Sequence, residues 1–232
     1  MLHIVFFDND IIVCVKPRGV LSEGDGDGTL PAMLQEWSRQ RGGDGQVYPV
    51  HRLDRETEGL MVYARNRRAA AYLSGEIAEG RMEKEYLAVA CGRPEADTDT
   101  LRDLLFYDRG RGKSYVVKRM RKGVKEAVLD YSVLDSREAR SLLRVCLHTG
   151  RTHQIRVQLA SRGMPLVGDR RYGAPAGREA LALYCYRLSF LHPNGKAPLD
   201  FTSLPELAEG SIWEKFRDYM IVFDTKVKQK AK

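Results

Sequence analysis

Short β-rich runs separated by turn residues recur along the chain, and this pattern constrains the fold more than any other feature. His3–Phe7 and Ile11–Val15 are rich in aromatic and branched residues, and Asp8-Asn9-Asp10 between them has the composition of a hairpin turn. Later runs of the same kind lie at residues 84–92, 127–134, 142–148, 182–191 and 199–201. The sequence therefore predicts a sheet assembled from many short strands.

Four other segments are predicted to be helices. Thr29 and Asn66 can cap two of them, because a side-chain oxygen at that position accepts a hydrogen bond from a free N–H of the first turn. Apolar residues follow each cap at helical spacing: Leu30, Leu34 and Trp37 in the first helix, and Ala70, Leu73 and Ile77 in the second. The other two segments span residues 152–161 and 206–222.

The chain length and its segmentation indicate one domain. The 232 residues contain no internal repeat, linker or second apolar core. We predict a single domain over residues 1–232, with the basic segment 226–232 as a disordered tail. No apolar run approaches the ~18 residues of a membrane span, and the N-terminus has no secretory leader pattern. A soluble, cytoplasmic monomer is therefore expected.

Charge and cysteine usage narrow the class of partner. The chain carries 38 Lys and Arg against 31 Asp and Glu, a net charge of +7, which favours a polyanionic partner. Its four cysteines lie far apart in apolar runs, without metal-ligand spacing: Cys14, Cys91, Cys146 and Cys185. They are expected to be buried thiols in a reducing compartment, with no disulfide and no zinc site.

Cations are most concentrated between residues 109 and 125, where Tyr107 and Tyr115 lie close by or among them. The cations are Arg109, Arg111, Lys113, Lys118, Arg119, Arg121, Lys122 and Lys125. A basic, glycine-containing segment with aromatic residues is suited to RNA, through phosphate contacts and base stacking. The alternative is a solvated hairpin with no partner.

One carboxylate, Asp54, is the candidate for chemistry. It lies in a polar, glycine-containing segment that leads into the apolar run Leu60–Ala64, which predicts a loop feeding a buried strand. Arg52 and Arg55 flank Asp54 and favour its ionised form, as a nucleophile or a base requires. From local sequence alone, an inert surface aspartate in an arginine cluster is the simpler interpretation.

A family resemblance favours the catalytic interpretation of Asp54 over the inert one. Residues 51–66, HRLDRETEGLMVYARN, resemble the catalytic motif HRLDxxTSGLLxxAK of the RluA family of pseudouridine synthases. Further blocks resemble the family in the same order, and together they span nearly the whole chain. They are IVCVKPRGVLS at 12–22, KEYLAVACG at 84–92, TGRTHQIRVQLASRGMPLVGDRRYG at 149–173, and RLSFLHP at 187–193.

The resemblance implies a fold and an activity. The fold is α+β, a long mixed and mostly antiparallel sheet with flanking helices and a central catalytic cleft, used without cofactor or metal. The activity is conversion of uridine in RNA to pseudouridine. By the same resemblance Asp54 is the essential carboxylate, Tyr86 stacks on the base, and Arg156 pairs with Asp54. Whether Asp54 attacks the anomeric carbon or removes a ribose proton stays open.

The expected RNA substrate is a stem-loop of ribosomal or transfer RNA. The residues expected to hold it lie in the same family blocks and in the basic segment. Extruding the target nucleotide costs a few kcal/mol, which phosphate contacts and stacking must offset. The candidates are His51, Arg52, Arg55, Lys84, Arg119, Lys122, Arg151, His153 and Arg171.

Three positions depart from the family pattern: Glu58 stands where Ser is usual, and Gln158 and Tyr184 each stand where His is common. None has a direct chemical role, so activity is expected to survive, and Glu58 is expected to narrow the substrate range. The chain also starts directly at the catalytic blocks, without the N-terminal RNA-binding domain of larger members.

Two alternatives come from other classes. A non-catalytic RNA-binding protein of the same fold would not need Asp54, Tyr86 and Arg156, and all three are present. A glycosidase or nucleosidase would need a second, acidic carboxyl group, for which Glu56 and Glu58 are available. The basic balance and the matched blocks argue against this second alternative.

Overall fold

The computed structural model describes residues 2–175 and 177–230. The chain divides into two compact units, each formed by two segments. Unit 1 comprises Met1–Lys84 and Cys185–Ser203, and unit 2 comprises Glu85–Tyr184 and Leu204–Lys232. The single domain predicted over residues 1–232 therefore has an internal division.

Strands alternate with a few helices along the described part of the chain. In order, the elements of the first half are β1 (His3–Phe7), β2 (Ile11–Lys16), α1 (Leu30–Arg39), β3 (Tyr48–Pro49), β4 (Glu58–Ala64), α2 (Arg67–Ala78), β5 (Glu83–Cys91) and β6 (Thr98–Asp108). Those of the second half are β7 (Lys113–Val117), β8 (Val124–Arg137), β9 (Arg140–Leu147), α3 (Gln154–Ala160), β10 (Leu183–Leu191), β11 (Pro198–Thr202), a 3-10 helix (Ile212–Phe216) and α4 (Arg217–Lys230).

Unit 1 is built on antiparallel strand pairs. β2 lies between β1 and β4, with Ile4 opposite Cys14 and Ile12 opposite Tyr63. β3 adds to β4, and β10 pairs with β11. The side chains of β2 and β4 are almost completely buried, because both strands are apolar on both faces. These two strands form the core of the unit.

Gly59, at the start of β4, is the position where this strand requires glycine. Its φ is +117°, a region that side-chain-bearing residues rarely adopt, and a Cβ there would overlap the main chain of Cys185 in β10. Both the backbone conformation and the close approach therefore depend on the absence of a side chain.

The two helices of unit 1 begin at the predicted caps. Thr29 Oγ1 accepts a hydrogen bond from Ala32 N at 3.3 Å, and Asn66 Oδ1 accepts one from Ala69 N at 2.9 Å. Each bond satisfies an N–H group that has no partner within the helix. Both capping predictions are confirmed.

Unit 2 contains a five-strand antiparallel arrangement in the order β5-β9-β8-β6-β7. Tyr86 of β5 lies opposite Val145 of β9, and Leu101 of β6 lies opposite Leu129 of β8. The hairpin of β6 and β7 carries much of the basic segment. β6 was not predicted, because Asp99, Arg102 and Asp103 interrupt its apolar residues.

Helix α3 packs on this sheet through Val157, which forms a buried cluster with Leu105 of β6 and Ala127 of β8. Ile155 and Leu159 are buried, as predicted from their spacing. The predicted helix over residues 206–222 forms later in the chain, as the 3-10 helix followed by α4. Helix α4 ends at Lys230, and Ala231 and Lys232 lie outside the described residues; the disordered tail expected over residues 226–232 stays a prediction.

The α+β class is confirmed, and the strand pairs within each unit are antiparallel. In the described ranges, no helix combines the length and apolar character that crossing a bilayer requires. No group of three or more His, Cys, Asp or Glu side chains among those residues is placed to hold a metal ion.

Candidate active site

Asp54 lies on a tight turn between β3 and β4, as the sequence predicted. The turn is closed by a hydrogen bond that Thr57 N donates to Asp54 O at 3.0 Å. Asp54 itself is half-buried, whereas Leu53 before it and Thr57 after it are buried. The main chain of the turn is thus part of the core of unit 1, while the carboxylate lies at its edge.

Lys16, at the end of β2, holds this turn in place through hydrogen bonds to the main chain. Its side chain is fully buried, and Nζ donates to the carbonyl oxygens of Pro17, Val20 and Arg55 at 2.8, 2.8 and 2.9 Å. Burial lowers the pKa of Lys16 to about 8, although Glu58, Glu56 and Asp54 oppose the shift. All three donors of the ammonium are therefore used on main-chain oxygens.

Arg55, the residue after Asp54, is held through its main chain and its side chain. Gly19 N donates to Arg55 O at 2.9 Å, and Arg55 Nε donates to Gly19 O at 2.8 Å. Gly19 has a φ of +79°, which glycine adopts without strain. The loop after β2 and the Asp54 turn therefore form one connected structure.

The arginines next to Asp54 also have partners elsewhere. Arg52 forms an ion pair with Glu23 at 2.8 Å, and Arg55 binds Gly19 as described. Both side chains are exposed. They are accessible to a phosphate, and their predicted role in RNA binding stays a prediction.

Glu58, a departure from the family pattern, forms an ion pair with Arg18. Both side chains are about one-third exposed. Because the guanidinium compensates the carboxylate, Glu58 adds less negative charge to this edge of unit 1 than the sequence suggested. Its predicted effect on the substrate range stays a prediction.

His51 has a contact within the fold. Its Nε2 accepts a hydrogen bond from Val62 N at 3.1 Å, in the middle of β4. Burial, together with the charge of Lys84, lowers the pKa of His51 to about 3. Burial also lowers the pKa of Lys84, with a smaller opposing effect from Cys185. His51 is therefore neutral at physiological pH and supports β4, in addition to the RNA contact predicted for it.

Tyr86 lies in the middle of β5, in unit 2, and only 5% of it is exposed. Its neighbours along the strand, Leu87 to Ala90, are completely buried. The Tyr86 side chain is therefore almost wholly enclosed. A stacking role for the ring stays a prediction.

Arg156 is buried on α3 and has a carboxylate partner, as its burial requires. Its Nε and Nη2 donate to the two carboxylate oxygens of Asp169 at 2.7 and 2.9 Å. Asp169 is 1% exposed and lies in the loop after α3. The sequence indicated Asp54 as the partner of Arg156, with a structural acid elsewhere as the alternative; the pairing with Asp54 stays a prediction, and Asp169 is an acid that sequence reasoning did not identify.

Tyr172 connects Arg156 with the β6–β7 hairpin. Its ring lies 5.3 Å from the Arg156 guanidinium, and its hydroxyl accepts a hydrogen bond from Ser114 N at 2.8 Å. The hydroxyl also lies 2.9 Å from His153 Nδ1. Burial raises the pKa of Tyr172 to about 12, against the effect of the Ser114 N–H. His153 is therefore placed beside Tyr172, with its backbone in the left-handed region at a φ of 56°.

The predicted RNA contacts of unit 2 lie mostly on its surface. Arg119 and Lys122 are exposed on the turn between β7 and β8. Arg171 Nη1 binds the carbonyl oxygens of Arg111 and Gly112, which ties the loop after α3 to the β6–β7 turn. Arg151 Nε donates to Glu126 O at 2.8 Å. Arg171 and Arg151 thus use part of their donor capacity on the fold.

Within each unit the structure groups residues that the sequence analysis had not associated with one another. In unit 1, Lys16 and Ser22 join the Asp54 turn; in unit 2, Asp169 and Tyr172 join Arg156 and His153. The one sequence signal for Asp169 was the rule that a buried arginine needs an acid. Lys16 gave no signal beyond its position at the end of an apolar strand.

Comparisons with known proteins give the family of this chain. Residues 10–161 match the family model described as RNA pseudouridylate synthase. A Bacillus subtilis protein named uncharacterized RNA pseudouridine synthase YhcT is 35% identical over 201 residues, covering 83% of this chain and 65% of the relative. Ribosomal large subunit pseudouridine synthase D of Neisseria meningitidis serogroup A is 36% identical over 216 residues, covering 86% of this chain and 57% of the relative. The chain thus spans less than two thirds of the length of either.

Solved structures agree in fold. The human protein titled RNA Pseudouridylate Synthase Domain Containing 4 is similar with a TM-score of 0.74 and 23% identity, covering 88% of this chain and 89% of that one. Human RNA Pseudouridylate Synthase Domain Containing 1 gives a TM-score of 0.72 and 26% identity, covering 90% and 85%. With the family match over residues 10–161, and as the resemblance to the RluA family predicted, this chain belongs to the RNA pseudouridylate synthase family.

Proposed function

We propose that this protein is an RNA pseudouridine synthase that isomerises one or more uridines in structured ribosomal or transfer RNA. The observation that carries the proposal is Asp54, which lies in the family's catalytic motif, on a turn that Lys16 and Gly19 anchor to the core of unit 1. The names of the relatives, several of which are ribosomal large subunit synthases, favour ribosomal RNA over transfer RNA.

The reaction conserves atoms. The bond between N1 of uracil and C1′ of ribose breaks, and a bond between C5 and C1′ forms; C5 loses its proton, and N1 gains one. Asp54 supplies an ionised carboxylate, which either attacks C1′ or removes the proton of the neighbouring ribose carbon. Both alternatives require the same residue in the same protonation state.

The family resemblance gives two further residues a role in the proposed chemistry. Tyr86 stacks on the uracil and assists removal of the C5 proton, and Arg156 supplies a fixed positive charge. The bidentate bond with Asp169 and the ring of Tyr172 restrict the Arg156 side chain to one orientation. A guanidinium held in this way loses little entropy on meeting a second anion.

The exposed cations of unit 2 are the proposed RNA contacts. Arg119 and Lys122 lie on one turn, and Lys113 lies over the ring of Tyr172 with Nζ 5.0 Å from the ring centroid. Cations beside aromatic rings bind phosphates and stack on bases, and such binding weakens steeply with salt. The proposal includes a monomer acting in the cytoplasm.

A pseudouridine map of total RNA from cells with and without the gene tests the proposal, with rescue by wild type, Asp54→Asn and Glu56→Gln. Sites that vanish on deletion should return with wild type and Glu56→Gln and stay absent with Asp54→Asn. Glu56→Gln is a matched control, because it removes a neighbouring exposed carboxylate.

Three outcomes would contradict the proposal. No change in the map would favour a non-catalytic RNA-binding protein. Loss of RNA affinity in Asp54→Asn as large as its loss of turnover would assign Asp54 to binding. Inactivation by Glu56→Gln together with release of free uracil would indicate a nucleosidase with two carboxyl groups.

A further inference from the structure

Ser22, in the loop between β2 and α1, binds both main-chain groups of the residue before Asp54. Its hydroxyl donates to Leu53 O at 2.9 Å and accepts from Leu53 N at 3.3 Å. Ser22 is 3% exposed and Leu53 is 5% exposed, so water does not compete for these groups. One side chain therefore satisfies the buried N–H and C=O that lead into the turn.

Ser22 is itself held in place by the core of unit 1. The hydroxyl of Tyr63, a fully buried residue of β4, donates to Ser22 O at 2.7 Å. Burial raises the pKa of this phenol, so it stays protonated and a hydrogen-bond donor at neutral pH. The neighbouring residue Leu21 is also fixed, because its carbonyl accepts from Leu30 N at 2.8 Å, at the start of α1.

The main chain is therefore fixed on both sides of Asp54. Leu53, one residue before, is bound by Ser22, and Arg55, one residue after, is bound by Lys16 and Gly19. With both neighbours held, the position of the Asp54 Cα and the direction of its Cβ are restricted. A displacement of about 1 Å at a reacting group can cost about 100-fold in rate.

We propose that Ser22 is a positioning residue for Asp54, acting through the main chain of Leu53. The proposal rests on the proposed function of Asp54 as the essential carboxylate. Ser22 touches neither substrate nor the reacting atoms in this scheme. Its loss should therefore lower the rate of the chemical step and leave RNA binding nearly unchanged.

The chain provides a matched control. Ser38, in α1 of the same unit, is also a buried serine at 2% exposure, and its hydroxyl has no hydrogen-bond partner among the described residues. Ser38→Ala, like Ser22→Ala, removes one buried hydroxyl oxygen, but the Ser38 hydroxyl makes no hydrogen bond to the Asp54 turn. Ser22→Thr is the conservative variant, because it keeps the hydroxyl.

Steady-state kinetics on an RNA that the wild type modifies give the first readout. Ser22→Ala should lower kcat about 10- to 100-fold and change KM for RNA by less than about twofold. Ser22→Thr should recover most of that loss, and Ser38→Ala should match wild type. Tyr63→Phe, which removes the bond to Ser22 O and a longer contact with Met61 Sδ at 3.6 Å, should show the same pattern with a smaller loss.

Amide hydrogen exchange of Leu53 gives a second readout that needs no activity. Ser22→Ala removes the acceptor of the Leu53 N–H, so this amide should exchange about 10-fold faster than in wild type or Ser38→Ala. The core amides of β2 and β4 should keep their protection, which shows that the variant is folded. If Ser22→Ala does not fold, Tyr63→Phe takes its place in both measurements.

The two readouts separate the failure of this proposal from the failure of the proposed function. A wild-type kcat in Ser22→Ala, or unchanged exchange at Leu53, would overturn the positioning role. Equal losses in Ser22→Ala and Ser38→Ala would also overturn it, because they indicate a general packing effect. If the wild type modifies no RNA, the proposed function fails, and the exchange of Leu53 alone decides whether Ser22 holds the turn.

Discussion

Lys16 Nζ donates to the carbonyl oxygen of Arg55 at 2.9 Å, across 39 positions of sequence, and so joins the end of β2 to the turn that carries Asp54. The same ammonium binds Pro17 O and Val20 O, and the side chain is fully buried. A buried ammonium is costly unless its donors are all used. In this turn all three donors bind main-chain carbonyls, and Arg55 O also accepts a hydrogen bond from Gly19 N.

Lys16→Met should therefore destabilise the protein. Methionine has a similar length but no donor, so the carbonyls of Pro17 and Val20 lose the Lys16 donor, whereas Arg55 O keeps the hydrogen bond from Gly19 N. At about 1 kcal/mol for each of the two, the loss should be about 2 kcal/mol, partly offset by removal of the buried charge. Urea unfolding measures it. An unfolding free energy equal to that of wild type would show that the carbonyls find other donors.

The pH dependence of this difference has a defined sign. Burial lowers the pKa of Lys16 to about 8 from an ordinary value of 10.5, so between these values the unfolded chain binds the proton and the folded chain does not. The unfolding free energy of wild type should therefore rise relative to Lys16→Met as pH increases from about 8 to about 10. Urea unfolding of both proteins at several pH values checks this, and parallel curves would contradict it.

Asp169→Asn should destabilise unit 2 strongly. Arg156 and Asp169 are both buried, and removing one charge leaves the other without compensation, at a cost of about 3 to 5 kcal/mol. Asp103→Asn is the matched control, because Asp103 pairs at 2.8 Å with the more exposed Arg162, two residues after the end of the same helix. That pair should contribute about 1 kcal/mol or less. Similar shifts of the unfolding midpoint in the two variants would contradict the prediction.

The sequence indicated Asp54, Tyr86 and Arg156 through a family motif, and the strands and caps around them through local patterns. Thr29 and Asn66 illustrate why the helix caps could be predicted: a helix cap depends on residues three positions apart, which the sequence shows directly. Gly59 shows the limit. The motif contains a glycine, but the approach of Cys185 that requires it comes from a strand more than one hundred residues away.

The supporting contacts were not predictable for the same reason. Lys16, Ser22 and Asp169 act through main-chain groups or partners that only the folded chain brings near. Glu58 shows that the sequence can also overstate the effect of a charge. In sequence it is an added negative charge, whereas in the fold Arg18 compensates it, 40 positions away. Pairings at such separations depend on strand register, which residue composition does not specify.

His192 should make the stability of unit 1 depend on pH. Burial lowers its pKa, but the Asn194 carbonyl and the Asp8 carboxylate, 2.7 Å from Nε2, outweigh burial and raise the pKa above its ordinary value. A raised pKa in the folded state means that the stabilisation is complete below about pH 6.5 and is lost as pH rises through the folded value.

His192→Gln should therefore lose the most stability relative to wild type at pH 5 to 6 and much less at pH 9. Urea unfolding at both ends of this range measures the difference. Asp8→Asn should give the same trend, because it removes the partner of the imidazolium. A larger loss at pH 9 than at pH 6 would show that the neutral ring provides the contact.

The turn between β7 and β8 offers a test of RNA contact that leaves the core intact. Arg119 and Lys122 are exposed there, so Arg119→Glu with Lys122→Glu should leave the unfolding midpoint unchanged and weaken RNA binding. If Arg119 and Lys122 each contact one phosphate, the slope of log Kd against log salt should fall by about 2, apart from the repulsion that the new glutamates add.

Arg67→Glu with Arg68→Glu, at the start of α2 in unit 1, is the charge-matched control. Equal weakening by both pairs would indicate a general effect of net charge.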